Sequence, residues 1–203
     1  MSRFAADHLR TVAVLGAGTM GHGIAHVCAQ LGCSVALYDI ELSFASRGLE
    51  KIAANLAKGV ELGKLSPDLR DATLARLRAT ASLEDACAGA DLVVEAAPEK
   101  IEIKRSLFER VDRAAPAALL ATNTSSLSIA SIASSVTDPS RVVGMHFFNP
   151  VHLMKLVEVV RHPAADASAV EAARSFSERL GKTPIVVSDS PGFASSRLGL
   201  VLG

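Results

Sequence analysis

The chain has 203 residues, 49% of them hydrophobic, with 21 basic residues against 21 acidic ones. That length suits one large domain, or one and a fraction, with a sizeable core, and the even charge balance gives no footing for a nucleic-acid or acidic-membrane partner. No apolar signal core follows Met1, no run approaches the length of a membrane helix, and Cys28, Cys33 and Cys87 make no C-x-x-C pair, so reduced thiols in a cytoplasmic compartment are the simplest reading.

An apolar run, Val12 to Leu15, reads as a buried strand. Gly16, Gly18 and Gly21 follow in the spacing G-x-G-x-x-G, and Met20, Ile24, Val27, Cys28 and Leu31 continue at helical spacing. A strand turning tightly into a helix through such glycines suits a dinucleotide. Gly16 permits the turn, Gly18 carries no side chain to block a pyrophosphate, Gly21 lets the helix approach the sheet, and the helix start offers free N–H groups. A second strand, Ser34 to Asp39, ends in an acid at about the distance, roughly 20 residues, at which a carboxylate meets the adenosine ribose. The plainer role for Asp39 is capping a helix that starts near Leu42. Asp39 is followed by Ile40 and Glu41, and the first base is Arg47. Two acids would repel a 2′-phosphate, which favours NAD over NADP.

A long helix is expected from Leu42 to Leu62, with Lys51, Lys58 and Lys64 on or after it; these could meet substrate phosphates or simply form a solvated face. Ser66-Pro67-Asp68 opens another helix, through about Arg78. Asp91 to Ala97 reads as a strand, Glu99 to Ala114 as an amphipathic helix and Ala118 to Asn123 as a strand, with a small helix starting at Ser125 and Ser126. Arg141 to Pro150 is a strand running into a proline-stopped turn, Leu153 to Val160 another strand, Ala165 to Leu180 a helix, and Thr183 to Asp189 a final strand. Strands alternating with helices mean α/β: a Rossmann-like, doubly wound and mainly parallel sheet with flanking helices. Ligands sit beyond the carboxyl ends of such strands, where Glu95, Glu99, Asn123, Ser125 and His146 fall.

Oxidation of an alcohol by a nicotinamide enzyme needs a group that takes the hydroxyl proton, and histidine titrates in the right range. An acid on its other nitrogen would fix the tautomer and stabilise the imidazolium. His146 and Glu158, on neighbouring strands, are a candidate dyad, although a lone His and Glu are more readily structural. Ser125 reads first as a helix N-cap. His22 and His26 stand four apart on a helix, but no third metal ligand accompanies them, so no metal is expected.

Taken together, Gly16-Ala-Gly-Thr-Met-Gly-His-Gly-Ile-Ala, Val93-Val-Glu-Ala, Thr122-Asn-Thr-Ser-Ser-Leu, Gly144-Met-His-Phe-Phe-Asn-Pro, Met154-Lys-Leu-Val-Glu-Val and Ser190-Pro-Gly-Phe resemble the (S)-3-hydroxyacyl-CoA dehydrogenase family, most of all its bacterial 3-hydroxybutyryl-CoA members. The resemblance implies roles. His146 looks like the catalytic base, Glu158 like the carboxylate that orients it, and Ser125 like a serine bonding substrate near the nicotinamide. Asn123 matches an asparagine touching cofactor and substrate, and Asn149 the motif residue beside the site. Thr19 and Met20 fall within the cofactor-binding turn, and Glu99 and Lys104 match residues lining the cofactor pocket. The implied reaction is reversible: His146 takes the 3-hydroxyl proton, hydride passes from C3 to NAD, and a 3-ketoacyl-CoA results. Where many members carry an asparagine that holds the substrate carbonyl, this chain has Ser196.

The resemblance further implies an NAD-binding domain over residues 1–188. Residues 189–203 would be a linker and the truncated first helix of a helical C-terminal domain that forms a homodimer and closes the acyl side of the cleft. A chain ending there is expected to bind NAD, to catalyse poorly, and to associate through the apolar segment Phe193 to Gly203. The competing readings are an NAD-dependent dehydrogenase of a free hydroxy or sugar acid on the same framework, a non-catalytic NAD-binding protein, and a segment of a multifunctional fatty-acid oxidation protein.

Overall fold

The protein was analysed as a computed structural model, which describes residues 4–190, 192 and 193. After a 3-10 turn at Ala6–His8, the chain runs β1 (Thr11–Leu15), α1 (Thr19–Leu31), β2 (Ser34–Tyr38), α2 (Leu42–Glu61), α3 (Pro67–Leu74), β3 (Leu77–Thr80), α4 (Leu83–Cys87), β4 (Leu92–Glu95), α5 (Ile101–Ala114), β5 (Leu119–Thr122), α6 (Ile129–Ala133), β6 (Val142–Phe147), β7 (Leu156–Arg161), α7 (Ala167–Arg179) and β8 (Thr183–Ser188). The strands form one eight-stranded sheet in the order β3-β2-β1-β4-β5-β6-β7-β8. Neighbours pair in parallel except β6 with β7, which are antiparallel. The expected doubly wound, mainly parallel sheet is present, and its strand order reverses between β1 and β4.

Alternation along the strands divides the core. Val12 and Val14 face one side with Ile24, Ile52, Leu56 and Phe176 from α1, α2 and α7. Ala13 and Leu15 face the other with Leu83, Phe108 and Ile129 from α4, α5 and α6. Burial on both faces is why the central strands are short, nearly continuous apolar runs; each fully buried large side chain contributes roughly 1.5–3 kcal/mol.

Helices α3, α4, α6 and α7 start where a side chain satisfies a free amide, whereas α1, α2 and α5 have no side-chain cap. Ser66 accepts from the Leu69 amide at 3.2 Å, with Pro67 behind it, and Ser82 accepts from Asp85 at 3.1 Å. Asp166 accepts from Ser168 at 2.6 Å. Gly32 ends α1 in the left-handed conformation, φ 109°.

Three expectations are corrected. The helix expected to reach Arg78 stops at Leu74, and Leu77–Thr80 becomes the edge strand β3, pairing Leu77 with Val35 and Thr80 with Tyr38. Helix-forming Ala, Leu and Arg residues yield there to the sheet edge, which has amides to satisfy. The small helix expected at Ser125 begins at Ile129, capped by Ser128, whose hydroxyl accepts from the Ser131 amide at 3.2 Å; Ser125 caps nothing and stays on the preceding loop. The strand expected from Leu153 begins at Leu156. Residues before it form a turn whose Val151 and Met154 carbonyls accept from the buried Lys182 ammonium, the second at 2.8 Å.

Candidate active site at the carboxyl ends of the strands

Two adjoining clefts open beyond the carboxyl ends of β1, β2, β4, β5 and β6. The larger, about 600 Å³, is lined by Gly16, Gly18, Thr19, Tyr38, Asp39 and the apolar Ile40, Phe44, Ile103 and Leu107. The smaller, about 350 Å³, is lined by Glu99, Lys104, Asn123, Ser125, His146 and Asn149. Met20, Ala96 and Ala97 line both.

The glycines at the turn act differently. Gly16 has φ 98°, and a Cβ there would lie 2.7 Å from the Ala96 carbonyl oxygen. A Cβ on Gly21 would sit 1.7 Å from the Gly16 oxygen, so Gly21 seats α1 on the sheet and lines neither cleft. A Cβ on Gly18 would meet nothing within 4 Å among the described residues; it would project into the space at the start of α1. A bare backbone facing open space at a 13-residue helix N-terminus fits a dinucleotide pyrophosphate. Asp39 accepts from the Ala17 amide and from its own neighbour Ile40, each at 2.8 Å. It does not cap α2, whose N-cap is Glu41. Its carboxylate is thus tied to the glycine turn at the cleft edge. Arg47 lies over the Phe44 ring at 4.6 Å.

In the smaller cleft, antiparallel pairing puts His146 directly opposite Glu158. The Nδ1 nitrogen of His146 is 2.8 Å from Glu158 Oε2. Glu158 is fully buried and His146 is 8% exposed. Phe148 and Phe193 flank the imidazole at ring-centroid distances of 4.5 and 6.1 Å. Asn123 Oδ1 accepts from the Phe147 amide at 2.9 Å, linking the ends of β5 and β6.

The remaining polar groups form one network around Lys104, which is 1% exposed. Its ammonium pairs with Glu95 at 2.7 Å and Glu99 at 3.3 Å. Glu95 is fully buried and also accepts from the Thr122 hydroxyl and the Ala97 amide, both at 2.6 Å. Glu99 accepts from the Thr124 hydroxyl, from the Ser125 amide at 2.9 Å and from the Ser125 hydroxyl at 3.3 Å. Burial pushes the Glu99 carboxyl up, but the Thr124 hydroxyl, the Lys104 charge and the Ser125 amide outweigh it and hold it below the usual carboxylate range.

The structure therefore brings together His146, Glu158, Ser125, Asn123, Asn149, Glu99 and Lys104, with Thr19, Met20 and Asp39 along the adjoining cleft. Ser196 and residues 194–203 lie outside the described residues. Lys51, Lys58 and Lys64 are exposed and line neither cleft. His22 Nδ1 lies 2.7 Å from the Gly18 carbonyl, and His26 stacks on His152 with centroids 5.5 Å apart. Among the described residues no three His, Cys, Asp or Glu side chains gather as a metal site, and the three cysteines are free and buried. No described helix is long and apolar enough to cross a membrane. Sequence reasoning missed the Glu95–Lys104 pair and the packing of Phe193 on His146. An acid closing the apolar run Leu92–Glu95 was the available signal for the first; the second joins positions 47 apart and left none.

The profile described as "3-hydroxyacyl-CoA dehydrogenase, NAD binding domain" matches residues 11–190. Over 192 residues the chain is 44% identical to 3-hydroxyadipyl-CoA dehydrogenase of Escherichia coli strain K12, covering 94% of this chain and 40% of that protein. It is 40% identical over 191 residues to a probable 3-hydroxybutyryl-CoA dehydrogenase of Bacillus subtilis strain 168, covering 94% of this chain and 66% of the relative. The crystal structure of (S)-3-hydroxybutyryl-CoA dehydrogenase from Ralstonia eutropha superposes with a TM-score of 0.90 at 36% identity, covering 96% of this chain and 73% of that one. The chain thus spans between two fifths and two thirds of the length of those curated relatives. With the glycine turn, the cleft and these matches in agreement, the chain belongs to the 3-hydroxyacyl-CoA dehydrogenase family and corresponds to its NAD-binding domain.

Proposed function

We propose that this chain supplies the cofactor site and the proton-transferring residues of an NAD-dependent dehydrogenase that interconverts a short (S)-3-hydroxyacyl-CoA, 3-hydroxybutyryl-CoA in the first instance, and its 3-keto form. The observation that carries the reading is the 2.8 Å contact between His146 Nδ1 and the buried Glu158, in a cleft continuous with the glycine turn. NAD, when bound, supplies the hydride acceptor.

The chain's own residues do the rest. Accepting from Nδ1–H, Glu158 holds the proton on that nitrogen and leaves Nε2 as the base. The substrate hydroxyl proton passes to Nε2, and the resulting imidazolium is stabilised by the Glu158 carboxylate. In the reverse direction the imidazolium returns the proton to the forming alkoxide. Phe148 and Phe193 keep water from the ring. Ser125, with its hydroxyl at the cleft and its amide tied to Glu99, offers a hydrogen bond to substrate. Asn123 and Asn149 position substrate and cofactor, and Glu99 and Lys104 border the cofactor pocket.

The test is loss of NADH absorbance on mixing the protein with acetoacetyl-CoA, with His146→Ala alongside. Turnover abolished by the substitution is expected. Turnover that survives it would remove His146 from the role of base. Activity on free hydroxy acids with none on the coenzyme A thioester would overturn the substrate class.

A further inference from the structure

The proton-transferring pair needs hydride to move beside His146, so the smaller cleft is the nicotinamide end of the site. That end is not electrically neutral. One ammonium, Lys104, is shared by two carboxylates, Glu95 at 2.7 Å and Glu99 at 3.3 Å, so this trio carries one net negative charge, in addition to that of the Glu158 carboxylate behind His146. Glu99 and Lys104 line the cleft, whereas Glu95 lies behind them, out of reach of any ligand. The nicotinamide ring carries a positive charge when oxidised and none when reduced. In a partly desolvated cleft, a fixed charge several ångströms away separates the two forms.

We propose that Glu95 is a positioning residue: by pairing with Lys104 from behind the cleft it leaves the Glu99 charge uncompensated, makes the nicotinamide end more negative by one charge, and so tightens the site for the oxidised dinucleotide relative to the reduced one. The packing supports a designed arrangement. Glu95 has both oxygens engaged, by Lys104, Thr122 and the Ala97 amide, so its charge is placed without a water-filled space around it. Its partner Lys104 also donates to the Ala97 carbonyl at 3.2 Å, fixing the ammonium at the wall shared by both clefts. A lysine needed only to balance Glu99 would require no second, inaccessible acid. This inference rests on the cofactor reading above.

The experiment measures dissociation constants for NADH, by its fluorescence, and for NAD, by competition, in the wild-type chain, Glu95→Gln and Lys104→Gln. The ratio of the NADH to the NAD constant is the readout, because damage to folding moves both constants together and leaves the ratio alone. Glu95→Gln should lower that ratio roughly tenfold, as expected for one charge removed at such a distance. Lys104→Gln should move it in the opposite direction. If Glu95→Gln fails to fold, the rise in Lys104→Gln must still appear. An unmoved ratio, or a shift of the same sign in both variants, overturns the inference while leaving NAD binding in place. A wild-type chain that binds neither form would overturn the cofactor reading, and this inference with it.

Discussion

His26 should make the fold acid-sensitive through a measurable and separable amount. It sits on α1, 4% exposed, stacked on His152 from the turn between β6 and β7, with Nδ1 lacking a hydrogen-bond partner among the described residues. Burial first, then His152, His22 and Lys182, push its pKa down from 6.5 to about 4. His152 is pushed down as well, by burial, Lys182 and His22. Above pH 6.5 His26 is neutral in both folded and unfolded chains and contributes no pH dependence. Between 6.5 and about 4 the unfolded chain binds the proton and the folded one resists it, so stability falls as pH falls and levels off below about 4. At roughly 1.4 kcal/mol per unit, lowering the pH from 7 to 5 costs about 2 kcal/mol through this residue. Urea unfolding of the wild type should show that loss as a midpoint lower by about 1 M, taking a slope near 2 kcal/mol per M. His26→Gln removes the titration while keeping a polar side chain, so its midpoint should fall by about 1 M less over the same interval. Equal falls in the two proteins would refute the assignment, since every other carboxylate and histidine is common to both.

The glycine turn makes a paired prediction. Gly21→Ala forces a Cβ to 1.7 Å from a backbone oxygen and should cost about 3 kcal/mol or more together with NAD binding. Gly18→Ala meets no atom of the described residues and should change stability by less than about 1 kcal/mol, yet weaken NAD at least tenfold; calorimetry and NADH fluorescence separate the two outcomes. Glu158→Gln leaves the size of the side chain but removes the charge beside Nδ1. An attraction of about 4 kcal/mol at an effective dielectric near 20 corresponds to roughly a thousandfold loss in kcat for oxidation of 3-hydroxybutyryl-CoA, the direction in which the imidazolium forms, and a loss under about threefold in that direction would contradict the dyad. Arg141 is 1% exposed and pairs with Asp112 while donating to the Ala115 and Ala118 carbonyls at 2.9 and 3.0 Å. Arg141→Met should cost about 3–5 kcal/mol in denaturant unfolding, because it strands a buried carboxylate.

The sequence by itself determined the element types with long or regular patterns and the chemistry of the glycine turn. The 3.6-residue spacing of α1, α2 and α5 and the apolar runs of β1, β4 and β5 are properties of consecutive residues. The identity of Gly16, Gly18 and Gly21 carries its own consequence for sterics. His146, Ser125 and Asn123 were readable as strand-end polar residues because alternating strands and helices already place such ends on one rim, and Glu158 as an acid on the neighbouring strand. Short elements of mixed composition were not readable: the four residues of β3 and the five of α4 form no apolar run of the kind that marks β4 and β5 and are too few to show a period, and Leu77–Thr80 pairs as a strand at the open edge of β2. Which polar residues touch was decided by tertiary structure alone. The antiparallel register sets His146 across from Glu158, twelve positions away, and the parallel pairing of β4 with β5 sets Thr122 against Glu95, twenty-seven positions away. Hydrogen bonds and ion pairs are short-ranged, and the register that brings their partners within 3 Å is set by burial of the whole sheet rather than by any local run of residues.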